Sequence, residues 1–276
     1  MTRDSRRRDD DDGVEPVHGA GSTEIGELIG RLAGDDDMDR ETRGRLLGRL
    51  ARLLGQNARR MGAAGFARGR VLADLLTAAA PHIPIRDLAT LQEHHRGLMG
   101  EELADRLVKV AGNATTAVGA AGGALAAVEF AAPPLLLTAP AQLAAETLVV
   151  AAIEVKMIAE LHEVYGVQVQ GSGTARGAAF LTSWARQRGI NPLEGGSLTS
   201  ALGTAAKSAL RKRMLRVFGR SLTTMGPFLT GAAAGAALNR AATRALAAKV
   251  RSDLRGSVPA PPPPLPGERP NLRSAD

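Results

Sequence analysis

RETRGRLLGRLARLLGQNARRM, residues 40–61, decides the fold class. Leu46, Leu47, Leu50, Leu53, Leu54 and Met61 recur at the three- and four-residue intervals of one helix face. Arg43, Arg45, Arg49, Arg52, Arg59 and Arg60 fill positions between them. The pattern predicts an amphipathic helix over 40–61, with a leucine stripe and an arginine-rich remainder. Strand alternation, with period two, is absent from this stretch.

The same helical signals run outward in both directions. Upstream, a short helix fits 22–33, with Ser22 or Thr23 as N-cap and Gly34 as its stop. Downstream, a helix over 66–80 ends before Pro81, and PHIPIRD (81–87) reads as a turn because its two prolines cannot continue a helix. Helices follow over 87–96 and 99–110. The second carries Met99, Leu103, Leu107 and Val110 on one face and pairs Asp105 with Lys109 at i,i+4. Residues 110–128 and 130–145 then carry no charge, interrupted by Glu129 and broken by Pro133, Pro134 and Pro140. They predict a helix, a turn and a second helix over about 140–164. A further uncharged stretch, 221–239, lies between Arg220 and Arg240. None of these runs matches the ~20 mainly apolar residues of a good membrane-spanning helix.

Two small-residue pairs sit inside the uncharged runs, Gly119 with Gly123 and Gly231 with Gly235. Glycines four apart leave bare patches on one helix face and let another helix approach closely, so these four are the candidate helix-packing residues. The expected fold is all-α: a compact helical bundle with a Gly/Ala-rich central hairpin, basic N-terminal helices and disordered tails. Residues 1–21 form a charged tail, 22–97 an N-terminal helical region, 98–255 the Gly/Ala-rich core, and 256–276, GSVPAPPPPLPGERPNLRSAD, a proline-rich tail.

Composition narrows the chemistry. The chain has 276 residues and no cysteine, which excludes disulfides, thiolate zinc sites, iron–sulfur clusters and a cysteine nucleophile. Its net charge of +7 comes from 35 basic and 28 acidic residues, and the charges fall in blocks. Residues 9–39 hold eleven acids against Arg31, residues 40–70 nine arginines against Glu41, and residues 195–252 ten basic residues and no acid. A basic excess points to nucleic acid, an anionic membrane surface or an acidic partner. It also allows an internal match in which the acidic segment lies against the basic helix beside it. The charged N-terminus lacks the apolar region of a secretion signal, so the expected location is cytoplasmic, in association with the inner face of the membrane.

No constellation survives as a catalytic or cofactor site. His18, His82, His94, His95 and His162 have no metal-ligand spacing. Glu160, His162 and Glu163 read as the polar face of a helix whose other side is apolar. QGSGTARG (170–177) offers Gly171, Gly173 and Gly177 as a loose dinucleotide fingerprint, but its third glycine is displaced and no βαβ units surround it. A helix–helix connection is the simpler account. Lys207, Arg211, Lys212, Arg213, Arg216 and Arg220 share one basic segment able to touch phosphate, with only Phe218 as an aromatic platform.

Residues 110–250 resemble the EcsC family of bacterial proteins. The resemblance rests on GAAGGALAAVEFAAPP (119–134), IAELHEVYG (158–166) and GPFLTGAAAGAALNR (226–240). It departs from the family pattern at the turn, where Glu129 and Pro133 stand in place of a tighter Asp-Leu-Pro sequence. It implies an α-helical, membrane-associated protein and brings no catalytic residue with it. The expected function is accordingly non-enzymatic and without cofactor or metal: a helical interaction protein that meets anionic lipid or a membrane partner. Arg45, Arg49, Arg52, Lys207, Arg211, Lys212, Arg216 and Arg220 are the candidate contacts. A protein partner or a second copy is a further possibility, and nucleic acid is not expected. The alternatives are a soluble helical scaffold and a binder of nucleic-acid phosphate.

Overall fold

The computed structural model describes residues 20–61, 70–131, 139–167, 169, 174–187 and 227–257. Among them stand eight α-helices and no strand: α1 (Ala20–Gly34), α2 (Arg40–Met61), α3 (Arg70–Ala79), α4 (Leu88–His94), α5 (Gly100–Ala131), α6 (Ala139–Val164), α7 (Thr174–Gln187) and α8 (Pro227–Ser257). One 3₁₀ turn, Ala80–His82, follows α3 directly. The all-α class is therefore as the leucine periods require.

Local chemistry explains several of the helix ends. The Asp39 carboxylate accepts from the Thr42 amide at 2.8 Å and starts α2, and Asp87 does the same for α4 through Thr90. Both carboxyls are held below their ordinary range by these hydrogen bonds. α4 stops at His94, short of the expected 96, because Arg96 (φ 59°) and Gly97 (φ 81°) turn left-handed. α6 ends in a left-handed Gly166, whose amide bonds Glu163 O while the Val167 amide bonds His162 O. The expected helix over 99–110 and the uncharged run after it are one continuous helix, α5. No proline interrupts it, and its glycines are held by packing. Both tails are slightly shorter than expected, since α1 starts at Ala20 and α8 reaches Ser257; the remainder of each lies outside the described residues.

α6 is the central helix. Residues 151–161 are buried without exception, and α1, α2, α3, α5, α7 and α8 all pack on it. A helix apolar on every side has no other place in a globular chain. α2 lays Leu47, Leu50 and Leu54 against α6 and α5, and none of the three retains any exposure. Each contributes about 1.5–3 kcal/mol through burial. One hydrophobic cluster runs from Ile25 and Leu76 through Leu103, Leu148 and Ile158 to Leu254. The boundary expected between 97 and 98 is consequently no break in the core.

Close approach to a neighbouring backbone is made by glycines that the two expected pairs do not include. On α1, Gly26, Gly30 and Gly34 form a stripe under the segment that follows α3. A Cβ at Gly30 would lie 2.2 Å from the His82 carbonyl oxygen, one at Gly26 2.7 Å from the His82 ring, and one at Gly34 2.3 Å from Pro84. α5 and α8 pair antiparallel over the greatest length of any two helices. Gly119, buried, and Gly123, half-buried, share the face of α5 that carries Gly112 and Thr115, and those two residues meet Arg240, Asn239 and Thr243 of α8. Gly231 and Gly235 lie in the first turns of α8, and the described burial of that helix begins only at Ala236. Gly122 faces α6 instead: Gln142 Nε2 donates to its carbonyl at 2.8 Å, and the Glu146 carboxylate covers its bare Cα.

Candidate functional site

The solvent side of α2 carries Arg45, Arg49 and Arg52, all exposed, with Glu41 and Gln56 at the two ends of the same row. Spacings of four and three residues place the three arginines on one face. Arg45 donates to Thr42 Oγ1 at 3.0 Å, and Arg49 pairs with Glu24 of α1. The leucines behind them are locked in the core. An α2 that tilts out to lay its leucine stripe into a headgroup layer, the arrangement that its sequence pattern suggests, would first have to vacate that core. The stripe serves packing, and the surface it leaves is a rigid row of guanidinium groups.

Arg43 does not belong to that row. It is buried on the leucine side and caps α1, with Nη1 donating to Leu32 O at 3.1 Å and Nη2 to Asp35 O at 3.2 Å. Burial pulls its pKa down, against the opposing pull of Asp35, Asp36 and Asp39. The acidic turn after α1 is thus matched internally to the start of α2.

Asp36, in the same turn, closes an alternating ring of four charges. Arg86 Nη1 lies 2.9 Å from Asp36 Oδ2 and 3.6 Å from Glu160 Oε1; Lys156 Nζ lies 3.0 Å from Glu160 Oε2 and 3.5 Å from Asp36 Oδ1. Glu160 is 2% exposed, so the expectation that it stands on a polar face is corrected. Burial raises its pKa, and Lys156 and Arg86 oppose the shift. A cavity of about 10 Å³ adjoins the ring between α5 and α6. The ring ties three separate parts of the chain together: the α1–α2 turn, the strap before α4, and α6. His94 Nε2 approaches Asp36 at 4.0 Å, and His95 is buried with its pKa lowered first by burial.

Two further polar assemblies hold α8. Glu154, fully buried on α6, accepts from Trp184 Nε1 at 2.9 Å and from Thr243 Oγ1 at 3.1 Å. At the surface, Glu101 and Asp105 at the start of α5 clamp Arg251, and Glu101 also accepts from Arg255 and from Tyr165. Hydrogen bonds from Arg255 and Arg251 bring the Glu101 pKa down to about 2.

The remaining candidates separate. Gly177 lies inside α7, where its Cβ position is 3.1 Å from Ala80, so it is a packing glycine and not part of a phosphate loop. Gly171 and Gly173 lie outside the described residues, as do Lys207, Arg211, Lys212, Arg213, Arg216 and Arg220. No group of three or more metal-ligating side chains forms among the described residues. No described helix is long and apolar enough to cross a membrane. An open groove of about 590 Å³ between α7 and α8 is lined by Thr182, Ser183, Gln187, Lys249 and Asp253, and the chain continues past Gln187 at its rim. The ionic ring was not anticipated; its only trace in the sequence is Lys156 and Glu160, an i,i+4 pair inside a mainly apolar stretch. No family model, curated protein or solved structure matches the chain.

Proposed function

We propose that the protein is a non-enzymatic helical interaction protein that meets anionic lipid headgroups through the arginine face of α2. The observation that carries this reading is the row Arg45, Arg49 and Arg52, exposed together on a helix whose opposite side is fixed in the core. Contact is then by charge alone, without insertion. Basic side chains beside an anionic leaflet contribute about 1 kcal/mol each, and the share of Arg49 is reduced by its pairing with Glu24. The buried charges support a structural role, because Asp36, Arg86, Lys156 and Glu160 pair with one another.

Among the described residues, the aromatic side chains favour headgroups over single-stranded nucleic acid, whose binders stack bases on exposed rings. Phe180 and Trp184 are buried, and Tyr165 is half-buried and engaged with Glu101. The resemblance to the EcsC family is part of the same proposal.

Co-sedimentation with neutral and anionic vesicles, at low and high salt, tests it. Binding should be confined to anionic vesicles, weaken with salt, and fall when Arg45, Arg49 and Arg52 are all changed to Gln. Equal binding to both kinds of vesicle, or none to either, contradicts the proposal.

A further inference from the structure

The arginine face has an occupant within reach on its own chain. We propose that the acidic run Asp9–Asp12, with Glu15, docks on Arg45, Arg49 and Arg52 and competes there with an external anionic surface. This rests on the reading of that face as an anion-binding surface and adds its regulation.

The placement follows from α1. This helix runs antiparallel to α2 through the turn at 35–39, and Glu24 already pairs with Arg49. Glu24 opposite Arg49 sets Ala20, the first residue of α1, level with the second half of α2. Seven residues, Gly13 to Gly19, separate Asp12 from Ala20, a reach of up to roughly 25 Å for extended chain. Arg45, the farthest of the three arginines, lies only about 12 Å back along α2 from that level. The acidic run can therefore cover the whole row.

Charge supports the match. Residues 9–15, DDDDGVE, hold five acids and no base; on the row itself Glu24 pairs with Arg49, and Asp39 and Glu41 stand at the Arg45 end. At a surface, such contacts are weak singly and strengthen as a network, and they are screened by salt. The docked run cancels charge that would otherwise attract anionic lipid, so docking lowers affinity for vesicles. The arginines just before it, Arg6 to Arg8, make deletion of the segment ambiguous; neutralisation of the four aspartates isolates the effect.

Because the chain has no cysteine, Gly13→Cys provides a single site for a nitroxide. In the full chain at low salt, the label should broaden the amide signals of 45–56. The broadening should diminish in high salt and when Asp9, Asp10, Asp11 and Asp12 are all changed to Asn. In parallel, the Asn variant should bind anionic vesicles several-fold more tightly than the wild type. Broadening that is unchanged in the Asn variant overturns the docking, and vesicle binding of equal strength by the two proteins overturns the competition. Broadening that responds to salt and to Asn, with no vesicle binding by either protein, upholds the docking and removes the lipid reading of the face. Vesicle binding without such broadening does the reverse.

Discussion

Gly30→Ala should destabilise the protein, although alanine is the better helix former. The Cβ it adds would sit 2.2 Å from the His82 carbonyl oxygen and 2.8 Å from the carbonyl carbon. These are backbone atoms of the 3₁₀ turn and have no rotamer with which to move aside. An ordinary carbon–oxygen contact is above 3 Å, so α1 and the strap must separate by about 1 Å. Overpacking of this kind costs about 1–3 kcal/mol. Replacing glycine by alanine within a helix returns roughly 1 kcal/mol. The net loss should be about 1–2 kcal/mol. Gly48→Ala on α2 is the control, because nothing lies within 4 Å of its Cβ position and only the helix-forming gain remains. Urea unfolding followed by circular dichroism measures both. Gly48→Ala should raise the midpoint and Gly30→Ala should lower it. If both variants raise it, the account of α1 as a bare rail for the strap is wrong.

Three other outcomes follow from the polar assemblies and the left-handed turn. Lys156→Met should cost about 3–5 kcal/mol at neutral pH, since it leaves Asp36 and Glu160 facing each other with Arg86 alone. Burial raises the Glu160 pKa, so the folded state takes up its proton before the unfolded state does; the variant should regain stability as pH falls, and denaturant titrations at two pH values check this. Glu101→Gln should cost about 1 kcal/mol or less at neutral pH, because the clamp is solvent-screened. The Glu101 pKa is depressed to about 2, so its contribution is complete above the ordinary carboxyl range and fades as pH drops towards 2; wild type and variant should converge there in thermal unfolding. Arg96→Gly should stabilise by roughly 0.5–1 kcal/mol by relieving a left-handed arginine, measured as a rise in Tm.

Much of the fold was legible because its signals are local. The leucine spacing over 40–61 matches the bounds of α2, and the prolines up to 140 with Gly166 after Val164 bracket α6. The glycine rail was legible in principle, as Gly26, Gly30 and Gly34 repeat every four residues. Nothing in α1, however, says that the partner is a strap fifty residues downstream. The ionic ring was hidden for a stronger reason: Asp36, Arg86 and Lys156 come together only through tertiary packing, and Glu160 on its own resembles any solvated helical acid. For the arginine face, spacing was sufficient to group Arg45, Arg49 and Arg52. The same spacing sets Arg43 apart, two residues before Arg45 and four before Leu47 on the leucine side, but its partners at the end of α1 are a property of the assembled helices.

Hydrogen exchange of the α2 amides on anionic vesicles tests the central claim most directly. Binding through a rigid arginine face leaves the core in place, so the amides of Leu47 to Leu54 should stay as protected on the vesicle as in solution. Loss of that protection on binding would mean that α2 leaves the core to enter the lipid, and would contradict the account.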